Sequence, residues 1–128
     1  MRPIHIIASL GVVLLSACST SPNPSSSLTF PFQALGNEPG WSVRLQYSLK
    51  ADVILDTGST RFSTTFTPKR DDDTEWVAQA KHGNDILVLR IRPGYCNDTM
   101  SDTLYPYQAE LTINNEVLQG CGRVAIDL

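Results

Sequence analysis

The stretch Trp41-Ser42-Val43-Arg44-Leu45-Gln46-Tyr47-Ser48-Leu49 makes every second residue apolar or aromatic and fills the places between with polar side chains. Side chains of an extended chain point alternately to opposite faces, so a period of two describes a strand with one buried and one wetted face. Similar segments follow at Asp52 to Asp56, Thr60 to Thr67, Glu75 to Lys81, Asp85 to Arg92, Tyr107 to Ile113 and Glu116 to Gln119, with a short final strand expected from Val124 to Leu128. Turn-forming residues separate them at Thr57-Gly58-Ser59, Pro68 to Thr74, His82-Gly83-Asn84 and Asn114-Asn115. No stretch carries capped 3.6-residue periodicity, and a turn between Asp98 and Leu104 is the one helical feature suggested. The pattern predicts a mainly β chain: a small antiparallel barrel or sandwich of seven or eight strands. Asp85 to Arg92 and Tyr107 to Ile113, the most apolar segments, are expected at the centre of the sheet.

The chain has 128 residues, of which 41% are apolar and 18% charged, enough for one globular domain. Lys and Arg total 10 against 13 Asp and Glu, a net charge of -3, and they form no basic run of five or more. Nucleic acid is therefore not an expected partner, since neutralising phosphates takes clustered cations. No G-x-S-x-G is present, and no Gly-rich phosphate loop follows a strand. With His5 and His82 the only histidines, nothing in the sequence calls for a metal or a cofactor.

At the N-terminus Arg2 and His5 precede an apolar run from Ile6 to Leu15, followed by Ser16, Ala17 and Cys18, the order of a secretory signal. The run is too short to span a bilayer as a helix. Leu15-Ser16-Ala17-Cys18 resembles the bacterial lipobox, which implies cleavage before Cys18 and acylation of that residue. Ser19 rather than Asp follows the Cys, which by resemblance to enterobacterial lipoproteins favours the outer membrane, with the domain facing the periplasm. Residues 19–27 are polar and rich in Ser and Pro, the composition of a flexible tether. The expected organisation is a signal peptide over 1–17, a lipidated Cys with its tether over 18–27, and a β domain over 28–128. Removing 1–17 leaves 9 basic against 13 acidic residues, about -4.

With Cys18 given to lipid, Cys96 and Cys121 remain as a pair in a chain bound for an oxidising compartment, and a disulfide is the default. Closing a loop of about 26 residues stabilises a domain by roughly 3.5 kcal/mol in the chain-entropy account.

Val53-Ile54-Leu55-Asp56-Thr57-Gly58-Ser59-Thr60 is similar to the active-site signature of aspartic proteases, in which a strand delivers an Asp to a tight turn and two such carboxyls share a proton. A single copy is half a site, so only a homodimer of the retroviral type could use Asp56 as its catalytic group. Such half-enzymes also need an apolar-apolar-Gly brace, and Val117-Leu118-Gln119-Gly120 carries an extra Gln. A hairpin turn opened by Asp56 is the simpler reading. The acidic run Asp71-Asp72-Asp73 is likewise expected as a solvated loop.

Two stretches stand apart from the strand pattern. One is Leu35-Gly36-Asn37-Glu38-Pro39-Gly40-Trp41, a tight turn before an aromatic strand start; the other is Cys96-Asn97-Asp98-Thr99-Met100-Ser101-Asp102, followed by Tyr105-Pro106-Tyr107 and by Gly120-Cys121-Gly122. Together they resemble an uncharacterised family of small bacterial lipoproteins and periplasmic proteins with a G-N/T-E-P-G/F-W turn, a C-x-D-x-M-S-D/G stretch, Y-P-[FY] and a terminal G-C. The resemblance runs from about Phe32 to Arg123, implies a compact β fold and supplies no catalytic residues. Asn37, Glu38, Trp41, Asp98, Met100, Ser101, Asp102 and Tyr105 read either as a structural seam or as a binding surface where the stretches meet. In the seam reading Glu38 accepts backbone N–H groups, Trp41 plugs a barrel end and Ser101 and Asp102 cap a short turn. The whole describes a lipid-anchored, non-enzymatic envelope protein whose β domain serves binding or envelope maintenance; a ligand of the binding kind would be an envelope protein such as a lysozyme, a cell-wall fragment or an apolar small molecule, and nothing in the residues selects among these. Cys18→Ser should abolish acylation and release the protein from membranes; palmitate incorporation that persisted in the variant would refute the lipobox assignment.

Overall fold

The alternating stretch from Trp41 forms a strand, but the strand stops at Leu45. Beyond it the chain reverses over Gln46 to Leu49, with Leu49 at φ 65° and its N–H donating to the Gln46 carbonyl oxygen, so Tyr47 is left 79% exposed. The computed structural model describes residues 28–98 and 102–125, together with the isolated Pro3 and Gly11. Its strands are β1 (Phe32–Asn37), β2 (Gly40–Leu45), β3 (Lys50–Leu55), β4 (Thr60–Thr65), β5 (Thr67–Asp71), β6 (Trp76–His82), β7 (Asp85–Asn97), β8 (Leu104–Ile113) and β9 (Glu116–Val124), with one 3-10 turn at Asp56–Gly58. All pair antiparallel in a single sheet of order β4-β3-β2-β1-β9-β8-β7-β6-β5.

The sheet curls into a nearly closed barrel. Its two edge strands, β4 and β5, are consecutive in the chain and joined through Phe66, which is 2% exposed and points into the core. At this seam the Thr64 hydroxyl donates to the Lys81 carbonyl oxygen at 2.7 Å, and Phe62 stacks on His82 with ring centroids 3.8 Å apart. The interior is filled by the inward half of each alternation: Phe32 and Ala34; Trp41, Val43 and Leu45; Ala51 and Val53; Trp76, Ala78 and Ala80; Leu87, Leu89 and Ile91; Ala109 and Leu111; Leu118. A fully buried Leu, Ile or Phe contributes about 1.5–3 kcal/mol, so this cluster outweighs the single cross-link in driving folding.

Nine strands stand where seven or eight were expected, and the boundaries differ for physical reasons. Phe32 to Leu35 belongs to β1, and the turn shrinks to Glu38-Pro39, because Gly36 and Asn37 pair with Trp41 and Gly40. The loop expected at Pro68 to Thr74 contains β5, a wholly exposed edge strand whose ladder to β6 shifts register between Pro68 and Arg70. β7 runs to Asn97 with an irregularity between Pro93 and Cys96. The expected final strand is no separate element, since β9 is continuous to Val124 and residues 126–128 lie outside the described residues. Of the suggested helical turn, residues 99–101 lie outside the described residues and Leu104 already opens β8. The central strand is β9, flanked by β1 and β8, with β7 on the far side of β8.

Three glycines face the inside of β1 and β9 because aromatic rings occupy their place. A Cβ on Gly36 would collide with the Trp41 indole nitrogen, and one on Gly120 with the Leu35 carbonyl oxygen and, at 2.8 Å, with Trp41 Cζ2. On Gly122 it would lie 2.7 Å from Phe32 Cζ. Because the obstacle at Gly120 includes backbone, Gly120→Ala should destabilise the domain by about 1–3 kcal/mol. A urea midpoint unchanged from the native protein would contradict this packing.

Candidate functional site

The β7–β8 hairpin determines where the two unusual stretches go. Past Pro93 the end of β7 reaches across β9 towards β1, and two bonds among the described residues tie it there. The first is the disulfide between Cys96 and Cys121, with Cα atoms 5.5 Å apart. Cys121 pairs with Leu35 and Gln108 in the sheet and points away from the main core, yet it is only 1% exposed beneath the tip. The second is a hydrogen bond in which the Asn37 side-chain amide donates to the Asp98 carbonyl oxygen. The Glu38-Pro39 turn and the Cys96–Asp98 segment are thus neighbours.

Between them lies an open cleft of about 490 Å³, floored by Leu35, Gly36, Gly120 and Cys121 and walled by Asn37, Glu38, Tyr95, Asn97, Asp98, Gln108 and Gln119. Trp41 supports the floor from the inside, its indole N–H donating to the Gln119 carbonyl oxygen at 3.1 Å. Asp98 is held on its other side by the Tyr105 hydroxyl, which donates to Oδ2 at 3.2 Å. Burial of the Tyr105 ring holds its phenol above the ordinary tyrosine range, the Asp98 carboxylate adds to the effect, and the Arg123 guanidinium, 5.6 Å from the ring centroid, opposes it. Tyr105 is therefore a neutral donor to Asp98 at physiological pH.

Of the residues singled out from the sequence, Asn37, Glu38 and Asp98 line this cleft, while Trp41 and Tyr105 support it. Glu38 is exposed and makes no hydrogen bond among the described residues, so it does not cap the turn. Asp102 is exposed outside the cleft lining. Met100, Ser101 and the lipidation candidate Cys18 lie outside the described residues. Asp56-Thr57-Gly58 forms the exposed 3-10 turn between β3 and β4, where Thr60 Oγ1 reaches Asp56 Oδ2 at 3.4 Å. In the acidic run, Asp72 accepts from Thr74 and from the Glu75 N–H and pairs with Arg70, and these bonds hold its carboxyl well below the usual carboxylate range.

Tyr95, Gln108 and Gln119 were not legible as site residues: each is an ordinary outward polar or aromatic position on a strand. Only Pro93-Gly94, which interrupts β7, hinted that the chain bends there. The sequence also gave no sign of the ion cluster beside the cleft. Glu75, 9% exposed, meets Arg70, Arg90 and Arg92 at 2.7, 3.2 and 3.1 Å. Arg90 continues to Glu110 at 3.6 Å, and Glu110 accepts from the Gln119 amide at 3.1 Å. A polar chain therefore runs from the cleft wall to the β5–β6 turn.

Comparison with protein-family models, with curated proteins and with solved structures finds nothing that matches this chain.

Tyr105 provides a direct check on the geometry. Its raised folded-state value means that the stabilisation it gives is complete below the unfolded-state value and is lost as pH climbs through the folded one. An alkaline near-ultraviolet titration of Tyr105→Phe should lack one ionisation step relative to the native protein, at a pH above 10.0. A missing step below that pH would contradict the buried contact with Asp98.

Proposed function

We propose that this chain is an outer-membrane lipoprotein of a Gram-negative bacterium, anchored through Cys18, whose periplasmic β domain is a non-catalytic binding module. One observation carries the binding role: the two motif stretches, remote in sequence, come together at an open cleft rather than in a closed seam. A purely structural seam would bury its polar groups against each other, whereas Glu38 is exposed at the cleft wall. In favour of binding over chemistry, no Ser, Thr, Lys or His lines the cleft among the described residues, and its two cysteines are bonded to each other. The lipobox order and the Ser-Pro tether support anchoring, and a disulfide suits an oxidising envelope. The ligand belongs to the envelope, as an exported protein or a cell-wall fragment. The resemblance of the motif stretches to small bacterial lipoproteins and periplasmic proteins agrees with this reading.

The test is retention of periplasmic proteins and muropeptides on the immobilised full-length protein, identified by mass spectrometry. A Glu38→Ala, Gln108→Ala variant, verified by circular dichroism, serves as the comparison because both side chains are exposed. A ligand held by the native protein and retained at least tenfold less by the variant is the expected result. Equal retention by both, or none by either, would refute a binding role for the cleft.

A further inference from the structure

We propose that the cleft selects a cationic ligand, one presenting an ammonium or guanidinium group with several N–H donors; this rests on the binding role given above. The argument comes from which way the amides of the wall must face. Asn37 directs its NH2 at the Asp98 carbonyl oxygen, Gln119 at a Glu110 carboxylate oxygen at 3.1 Å, and Gln108, more loosely, at the Tyr95 carbonyl oxygen at 3.5 Å. Each of these partners can only accept a hydrogen bond, so none of the three amides can be turned round without setting oxygen against oxygen. One N–H of each NH2 is engaged with the protein, so each amide keeps its orientation and offers a ligand its carbonyl oxygen beside the remaining N–H.

Charge points the same way. The acidic side chains in the lining are Glu38 and Asp98, and no Lys, Arg or His lines it among the described residues. The arginines nearby are engaged elsewhere: Arg90 faces Glu75 and Glu110, and Arg123 lies over the Tyr105 ring and donates to Gln33. An anionic ligand would meet two carboxylates with no cation among the described lining residues to offset them. A cationic ligand finds two carboxylates and the amide oxygens of Asn37, Gln108 and Gln119 as acceptors. Tyr95, 78% exposed at the wall, adds an aromatic face of the kind that attracts ammonium and guanidinium groups.

Calorimetric titration of the full-length protein in non-ionic micelles would decide, using tetralysine, tetralysine acetylated on every Nζ, and chitotetraose as probes. Tetralysine should bind, acetylation should weaken it at least tenfold, and Glu38→Lys should do the same. Because the domain is acidic overall, Glu116→Lys makes the same charge change at an exposed position of β9 outside the cleft lining, and it should alter affinity less than twofold. Displacement of tetralysine by spermidine would assign the site to free polyamines and failure to displace would assign it to a basic peptide; both sustain the cationic class. Equal loss in Glu38→Lys and Glu116→Lys, or undiminished binding of the acetylated peptide, would overturn the proposal. Binding of chitotetraose without tetralysine would overturn the cationic class while leaving a binding cleft. Binding of no probe, with no ligand retained from the envelope extract, would remove the binding role as well.

Discussion

The ladder between β1 and β9 is the constraint on which the molecule depends. Among the described residues seven of the eight strand pairings join neighbours in the chain; only β1 with β9 brings together the first and the last strand. Without that ladder the chain is two meanders, β1–β4 and β5–β9, connected at Phe66, each with a half-covered apolar face. With it, both faces close on one interior. Loop-closure entropy is paid in full for this pairing before any of its contacts are made, so the ladder must be reinforced where it forms.

Trp41 supplies the reinforcement. Its indole lies against Gly36 of β1 and Gly120 of β9 and donates to the Gln119 carbonyl oxygen, so a single side chain from β2 fixes the level at which the ends meet. Phe32 does the same one layer away, against Gly122 and edge-on to Tyr107. On the outer side the disulfide adds a cross-link to β9 at Cys121, the partner of Leu35 in the ladder. The cleft is a by-product of this arrangement. The hairpin tip that carries Cys96 has to arch over the ladder to reach Cys121, and the space under the arch is what remains open.

Much of this architecture could be read from alternation alone, because β2, β3, β6, β7 and β8 each bury one face against the core. β1 was hidden because Gly36 and Asn37 have the composition of a turn, and only the indole across the sheet makes Gly36 a strand residue. β5 was hidden for the opposite reason: Thr67-Pro68-Lys69-Arg70-Asp71 buries nothing, so it carries no hydrophobic period. The motif stretches marked the right neighbourhood, since Asn37, Glu38 and Asp98 do meet. Gln108, Gln119 and Tyr95 could not be found from sequence, because what places them in one wall is the arch of a hairpin some distance along the chain.

The seam between β4 and β5 also bears on how copies of this protein behave when crowded. An incompletely closed barrel has two free edges, and a free edge can recruit a strand from a neighbouring molecule. On β5, Pro68 has no N–H to give, Lys69 and Arg70 bring charge to the rim, and the register shift between Pro68 and Arg70 breaks the straight row of donors and acceptors that an incoming strand would need. The residues that make β5 poor in sequence signal thus also make that edge a poor template for a strand from a neighbouring molecule.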